Sequence, residues 1–456
     1  MFIKSISTAP TPRSEYFFSV CRLGNAGLLS SAVPARTHLE FSSILSTSSD
    51  SSSVGRIHFS AFTQVHYIQA GSFSGCAVAA CVVMALASGA SAVPEECLTI
   101  EEDTFGMHKD PSTGESYAVR SYTLVNRNNL QVKVIDYGAT IVSVKTPDKN
   151  GKFADVVLGF DDVSGYERPD NPYFGATIGR VANRIENGTF QIGNQRYSVA
   201  KNVLGKHSLH GGERGFDKVM WTVEKGCNEV RMTYYSRDGE SGFPGNVKTT
   251  VCFKLTNDNK LIINYQATAD RCTPVSLTNH AYFNLAGHNA GQEGLYQHLV
   301  LINADKYTDY NEDSVPTGEI KSVSGTEFDL RELQPLGAAI QRTFHSYGFD
   351  LNYVINSNED KSNFHLKFTA RVIDPVSGRY VDTFTDQPGV QFYTTNSLAP
   401  IPGKEGVLYD KHSAFCLETQ KFPDALHHSN FPSIILNPHP DVYKHSTVYA
   451  FGVVNN

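Results

Sequence analysis

The chain has 456 residues, of which 40% are hydrophobic and 11% aromatic, so it can bury a large core in one big domain or in two smaller ones. Its formal net charge of −7, without any Lys/Arg-rich run, excludes the basic surface that nucleic-acid binding needs. A soluble globular protein with a small neutral ligand fits this composition better.

The N-terminal 92 residues differ from the rest of the chain. Residues 1–74 contain seventeen serines and no lasting apolar periodicity, which predicts a low-complexity leader outside the fold. The apolar stretch 75–92 is shorter than the roughly 20 residues of a membrane span and ends in Ala90-Ser91-Ala92, an A-x-A cleavage pattern. It is similar to a signal-peptide core, although it lacks a basic flank and lies far from Met1. Three explanations of this position are open: a start codon assigned too far upstream, a Ser-rich targeting leader, and a signal anchor. A processed signal predicts a secreted protein, whereas a wrongly assigned leader predicts a cytoplasmic one.

Residues 93–116 are predicted to be a linker or N-terminal extension, and a domain rich in β-hairpin patterns follows over residues 117–456. Short β-branched and aromatic runs alternate there with turns at Asn150-Gly151, at Gly193-Asn194 and at 375–378. The stretch VCFKLTNDNKLIINYQATA alternates on both sides of a polar loop. No convincing long amphipathic helix interrupts these runs. The pattern predicts an all-β fold built as a large antiparallel sandwich.

Polar groups interrupt the hairpin pattern in two early segments. In YFGATIGRVANRIENGTF, Asn183 and Arg184 follow glycines and offer the donors and acceptors that sugar hydroxyls need. The alternative is a surface arginine at a strand end. In HSLHGGERGFDKVMW, two glycines follow His210 and leave its ring room at the edge of a cleft. A solvated loop histidine is the alternative there.

Further candidates occur in the second half of the chain. TNHAYFNLAG, residues 278–287, places His280 in an aromatic and apolar run that predicts a strand, where it either completes core hydrogen bonds or transfers a proton. In HSAFCLETQKFPDA, a buried Glu418 would need a partner or a function, so a general base is the alternative to an exposed strand residue. Asp350 in YGFDLNYV and Gln391 in PGVQFYTTN are weaker candidates.

In this order, GRVANRI, LHGG-RGFDK-W, TNHAYFNLAG, GFDLNYV, GVQFYTTN and FCLETQ resemble the motifs of the aldose 1-epimerase (galactose mutarotase) family. The resemblance covers about residues 117–456, and a chance match would need all six motifs in sequence. It implies a β-supersandwich fold and an isomerase that interconverts the α and β anomers of free aldohexoses such as galactose and glucose. Typical members are cytoplasmic and have no counterpart of the leader.

The resemblance also implies roles for single residues. The proton donor falls on His280 and the proton acceptor on Glu418. At reference pKa values of about 6.5 and about 4.3, an imidazole can carry a proton at neutral pH while a carboxylate is ionised. The implied sugar contacts are Asn183, Arg184, His210, Tyr282, Asp350 and Gln391. The reaction needs no metal or other cofactor, the implied partner is a monosaccharide, and no stable membrane partner is expected.

Several alternatives stay open from the sequence. A non-catalytic carbohydrate-binding protein on the same fold would be expected to lose one member of the acid/base pair. A metal-dependent hydrolase could use His210, His280 and Glu418 as zinc ligands, although the histidines lack a short ligand spacing. The sequence does not define the oligomeric state, and Asn187 in NGT is a glycosylation acceptor only if the chain is exported. The pairing of the five cysteines after residue 92 is also open: Cys97, Cys227, Cys252, Cys272 and Cys416.

Overall fold

The computed structural model describes residues 97–111, 113–356 and 366–454. The predicted leader and the signal-like segment, residues 1–74 and 75–92, lie outside the described residues. Within the described ranges, no helix is both long enough and apolar enough to cross a membrane.

The described residues are dominated by β strands, which are numbered here in chain order. The first group comprises β1 (Thr99–Lys109), β2 (Ser116–Val125), β3 (Gln131–Ile135), β4 (Thr140–Pro147), β5 (Phe153–Asp155), β6 (Thr177–Ile178), β7 (Arg184–Ile185), β8 (Thr189–Ile192), β9 (Gln195–Ser198) and β10 (Ser208–Leu209). The second comprises β11 (Thr222–Lys225), β12 (Glu229–Ser236), β13 (Val247–Leu255), β14 (Lys260–Ala269), β15 (Thr273–Pro274), β16 (Thr278–Asn279), β17 (Leu299–Ile302), β18 (Lys306–Tyr310), β19 (Pro316–Ser322) and β20 (Gln334–Pro335). The third comprises β21 (Asp350–Val354), β22 (Lys367–Ile373), β23 (Arg379–Thr385), β24 (Gly389–Tyr393), β25 (Ile401–Pro402), β26 (Leu408–Tyr409), β27 (Cys416–Gln420), β28 (Ile435–Leu436) and β29 (Tyr443–Val453).

Three antiparallel sheets organise most of these strands. One runs in the order β1-β2-β3-β4-β5, a second in the order β11-β12-β13-β14-β29-β23-β22-β17-β20, and a third in the order β19-β18-β21-β24-β27. The described α-helices are short: α1 (Val163–Tyr166), α2 (Gly291–Gln297) and α3 (Leu336–Arg342). Single 3-10 turns occur at Glu186–Gly188, Phe216–Lys218, Glu240–Gly242, Phe344–Ser346 and Lys404–Gly406. The predicted all-β antiparallel fold is therefore confirmed.

Local predictions hold at the turns and differ at two strands. Asn150-Gly151 lies between β4 and β5, and Gly193-Asn194 joins β8 to β9, as predicted. Residues 93–116, predicted to be an extension, contain β1, which pairs along its length with β2. Most side chains of β1 are exposed and three successive ones are acidic, so the sequence of β1 lacks the alternating hydrophobic pattern that predicts a strand. The strand around His280 is shorter than its apolar sequence indicates, because β16 ends at Asn279.

A large buried cluster joins the three sheets. Val132 comes from the first sheet, Phe253 from the second and Phe392 from the third, and all three are fully buried in this cluster. Burial of each such side chain contributes about 1.5–3 kcal/mol relative to exposure. Strand β27 is buried at every residue, from Cys416 to Gln420. A strand buried on both faces normally carries apolar residues, so the polar side chains of β27 call for a specific reason.

Candidate active site

Three of the predicted polar residues lie on neighbouring strands of the third sheet. Gln391 on β24 and Glu418 on β27 are directly paired in the register, which places both side chains on one face. Asp350 begins β21, and Gln391 Nε2 donates a hydrogen bond to Asp350 Oδ1 over 2.7 Å. Glu418 is only 2% exposed, and its Oε2 is a buried acceptor without a hydrogen bond among the described residues. The third sheet thus holds the buried Glu418 carboxylate, whose Oε2 has no hydrogen bond among the described residues, directly beside Gln391.

His280 faces this carboxylate from a different part of the fold. Its Nε2 lies 3.6 Å from Glu418 Oε1. The backbone on both sides is fixed, since the His280 amide donates to the Ala176 carbonyl and its carbonyl accepts from the Gly175 amide, each over 2.9 Å. The imidazole stacks on the Tyr282 ring, with centroids 4.8 Å apart and planes within 8°. His280 is therefore held in a defined orientation towards Glu418.

Asn183, Arg184 and His210 come from the short β7–β10 pairing. The Asn183 amide donates to His210 Nδ1 over 3.1 Å, and the His210 amide donates to the Asn183 carbonyl over 3.0 Å. Because Nδ1 accepts, the neutral ring carries its proton on Nε2. Gly211 follows at φ +91°, where an added Cβ would lie 1.9 Å from the Gly179 carbonyl oxygen. Only glycine fits there, which explains part of the HGG motif.

These residues converge on one cluster. The His210 and His280 ring centroids lie 5.2 Å apart. The Arg184 charge is close enough to lower the pKa of both Asp350 and Glu418, although burial, the larger effect, raises the pKa of each carboxyl. Tyr282 lies beside His280, but its hydroxyl donates to the Pro172 carbonyl over 2.7 Å. Its predicted contact with sugar stays a prediction.

Burial changes the charges that reference pKa values imply for the acid/base pair. It raises the pKa of Glu418 well above its usual value, and the neighbouring Asp350 adds to this rise. It lowers the pKa of His280 to about 3. Without a bound sugar, the pair therefore favours the uncharged forms, because transfer of either charge out of water is costly. Reference pKa values predict ionised Glu418 and protonated His280, but burial makes this charged pair less populated than the uncharged one.

Comparison with known proteins identifies the family of the chain. The sequence matches the aldose 1-epimerase family over residues 120–450. The chain belongs to the aldose 1-epimerase family. It is accordingly an isomerase of the aldose 1-epimerase class, and the predicted supersandwich of the family type is confirmed by its structural relatives.

Individual family members show how far the similarity extends. The galactose mutarotase of Bos taurus is 46% identical over 327 residues, which cover 72% of this chain and 92% of that protein. The aldose 1-epimerase of Escherichia coli K12 is 33% identical over 346 residues, covering 74% and 96% of the two chains. A crystal structure of an aldose epimerase homologue from C. elegans superposes with a TM-score of 0.66 at 31% identity, covering 72% of this chain and 98% of that one.

The geometry adds residues that sequence reasoning did not single out. The Tyr173 ring lies edge-on to His210 and parallel to His280, with centroids 4.8 and 6.1 Å apart. Lys218 Nζ lies 4.9 Å from the centre of the Tyr173 ring. Asp424, six residues after Glu418, donates its amide to the Arg184 carbonyl over 3.2 Å. All three lie within the quoted motifs, but only the folded chain shows which site residue each one contacts.

The three residues of the zinc alternative lie close enough together to bind one metal ion. One ligand atom each from His210, His280 and Glu418 lies within 4.8 Å of the others, although the histidines are seventy positions apart in sequence. The same three groups suit proton transfer without a metal, since an imidazole and a carboxylate are the usual acid and base. A chelator distinguishes the two uses.

Proposed function

We propose that the chain interconverts the α and β anomers of free aldohexoses such as galactose and glucose, with Glu418 as the base and His280 as the acid. The observation that carries this assignment is the buried pair itself, with His280 Nε2 and Glu418 Oε1 3.6 Å apart. An imidazole and a carboxylate thus face each other directly. Both members of the pair are present, whereas a non-catalytic sugar-binding protein has no need of them.

The reaction requires two proton transfers. Glu418 accepts the proton of the C1 hydroxyl while His280 donates a proton to the ring oxygen, and the bond between C1 and the ring oxygen breaks to give the open-chain aldehyde. After rotation about the C1–C2 bond, the hydroxyl formed from the ring oxygen attacks the other face of C1. Its proton returns to His280, and Glu418 returns the proton to the new C1 hydroxyl. No atom or electron is gained or lost over the cycle.

The shifted pKa values suit this cycle. A carboxylate with a raised pKa is a stronger base, and an imidazolium with a lowered pKa is a stronger acid, so burial increases the driving force of both transfers. The uncharged pair favoured by burial is the state reached when the ring has opened. Arg184 opposes the rise in the pKa of Glu418 and so helps to keep the ionised form accessible.

The remaining polar residues are proposed to hold the sugar against this pair. Arg184 offers a planar fork of donors, and its Nε is buried without a hydrogen bond among the described residues. His210 offers its Nε2 proton, and the hydrogen-bonded Asp350 and Gln391 offer a fixed donor–acceptor pair. Asn183 completes the proposed set. Such contacts contribute to the rate by holding C1 and the ring oxygen within about 2.6–3.2 Å of the catalytic groups.

Polarimetry of freshly dissolved α-D-galactose and α-D-glucose tests the proposed function. With the protein present, the rotation should approach the same final value faster than in buffer alone, in proportion to the protein concentration. A folded protein that binds sugar, shown by calorimetry, but leaves the rate unchanged would instead be a carbohydrate-binding protein.

A further inference from the structure

A disulfide fixes the start of the described fold. Cys97, just before β1, is bonded to Cys227 in the turn between β11 and β12, across 130 positions of sequence. The Leu98 amide donates to the Cys227 carbonyl over 3.0 Å, so backbone pairing brings the two segments together beside the sulfur bridge. Stable structural disulfides form in oxidising compartments such as the secretory pathway and are rare in the reducing cytosol.

A second feature of an exported protein lies on another part of the surface. Asn187-Gly188-Thr189 is the only N-x-S/T sequence in the chain, and Asn187 is exposed. Its backbone is anchored, because its amide donates to Nδ1 of the buried His207 over 3.0 Å. Among the described residues, no hydrogen bond engages its side-chain amide. The acceptor nitrogen therefore stands on a fixed turn and faces solvent.

Turn geometry accounts for part of this motif. Asn187 has φ 52° and ψ 11°, and Gly188 has φ 57°, the left-handed values of a type I′ turn for which Asn-Gly is the favoured pair. It does not account for Thr189, which begins β8 in an extended conformation that many residues adopt. The hydroxyl at this third position accepts one long, exposed hydrogen bond, from Arg196 Nη2 over 3.5 Å, and it completes the glycosylation sequence.

We propose that this protein matures in the secretory pathway, where Asn187 receives an N-linked glycan and Cys97 and Cys227 are oxidised to the disulfide. The sequence supports export independently, through the apolar stretch 75–92 that ends in an A-x-A pattern. Three separate features of the chain thus share one explanation. The proposal does not depend on the catalytic assignment.

Both modifications use reactants that the secretory pathway supplies. In the first, Asn187 Nδ2 attacks C1 of an oligosaccharide carried on a lipid diphosphate. A C–N bond forms, the bond between C1 and the diphosphate oxygen breaks, and the amide loses one proton as the lipid diphosphate leaves. In the second, the two thiols lose two electrons and two protons to an oxidant disulfide, which becomes two thiols.

Expression of the full 456-residue chain in cultured animal cells tests the proposal. Medium and lysate are compared by gel mobility before and after peptide N-glycosidase F, and non-reduced tryptic peptides are mapped by mass spectrometry. The matched variants are Thr189→Val, which removes the acceptor sequence but keeps the strand, and Thr189→Ser, which keeps the sequence. Asn187→Asp removes the acceptor while retaining a residue that tolerates the left-handed turn.

The expected result is protein in the medium whose mobility shifts on deglycosylation in the wild type and in Thr189→Ser, with no shift in Thr189→Val or Asn187→Asp. Non-reduced digests should contain the linked peptide of Cys97 and Cys227. Retention of unshifted protein in the cytosol with both thiols alkylated overturns the proposal. Secreted protein with unmodified Asn187 overturns the glycan, and free thiols in secreted protein overturn the disulfide. The polarimetric rate, measured on the same samples, reports on the enzymatic function separately.

Discussion

Asp424 connects the loop after the Glu418 strand to the segment that carries Arg184. Its carboxylate Oδ1 accepts from the Glu186 amide over 2.8 Å and from His427 Nδ1 over 2.7 Å. Its own amide donates to the Arg184 carbonyl over 3.2 Å, and the residue is only 2% exposed. These bonds flank Arg184, so we expect Asp424 to position the guanidinium without contacting sugar itself.

Asp424→Ala should lower both stability and sugar affinity. Each hydrogen bond to a charged group contributes about 1.5–3 kcal/mol, and the variant removes two. The loss is reduced because buried Oδ2 has no hydrogen bond among the described residues and lies 3.5 Å from His428 Nε2, so removing the carboxylate also removes a desolvation penalty. We therefore expect about 2–4 kcal/mol less free energy of unfolding. Displacement of Arg184 should raise KM by about tenfold, equivalent to about 1.4 kcal/mol, with little change in kcat.

Urea unfolding and initial polarimetric rates over a range of sugar concentrations measure these two effects. Asp424→Asn, which keeps an acceptor oxygen, should lie between the wild type and the alanine variant in both assays. Asp441→Ala on the exposed surface is the matched control and should change stability by less than about 0.5 kcal/mol. A destabilised Asp424→Ala variant with wild-type KM would refute the link to Arg184, and an unchanged free energy of unfolding would refute the hydrogen-bond reasoning.

Four further predictions follow from buried or titrating groups. Lys404→Met should lower the free energy of unfolding by about 3–5 kcal/mol in urea, because it removes a buried ammonium that lies 2.6 Å from the half-buried Asp155 carboxylate and also donates to the Val142 and Val157 carbonyls. Hydrogen bonding to Asp424 raises the pKa of His427 above 6.5, so its contribution to stability should be complete below about pH 6.5 and disappear as the pH rises through the raised pKa. The stability difference between wild type and His427→Gln, measured against pH, should show this loss, and a constant difference would contradict it. Tyr282→Phe keeps the ring that stacks on His280 and removes the hydroxyl that donates to the Pro172 carbonyl. It should therefore lower the free energy of unfolding by only about 0.5–1.5 kcal/mol. A large rise in KM would instead indicate a sugar contact by the hydroxyl. EDTA should leave the mutarotation rate unchanged, whereas loss of activity restored by Zn²⁺ would favour the metal reading of the same site.

The sequence predicted the parts of this structure that depend on local pattern. Hairpins such as β8–β9 followed from alternating residues around a Gly-Asn turn, and the all-β class followed from many such hairpins. Strand β1 was missed because its exposed acidic residues lack the alternation of a half-buried strand. Its position depends on pairing with β2, which is a tertiary interaction.

The resemblance named residues that the fold brings together in the proposed site, but it did not predict their electrostatics. The resemblance indicated His280 and Glu418, yet reference pKa values gave them the charges of solvated groups. Burial of both groups reverses the preference, and burial depends on side chains from several sheets. For the same reason, the pairing of Cys97 with Cys227 and the contact of Asp424 with Arg184 join segments whose proximity no sequence spacing encodes.

The most direct test of the acid/base pair is the exchange rate between α- and β-galactose at equilibrium, measured by NMR saturation transfer with wild type, Glu418→Gln and His280→Asn at equal concentration. Both variants replace a buried group by an uncharged one of similar size, and urea unfolding confirms that they are folded. Because general acid and base catalysis each contribute about 100- to 10,000-fold, each variant should lose at least about 100-fold in kcat. A folded variant that exchanges the anomers at the wild-type rate would contradict the assignment of that residue to proton transfer.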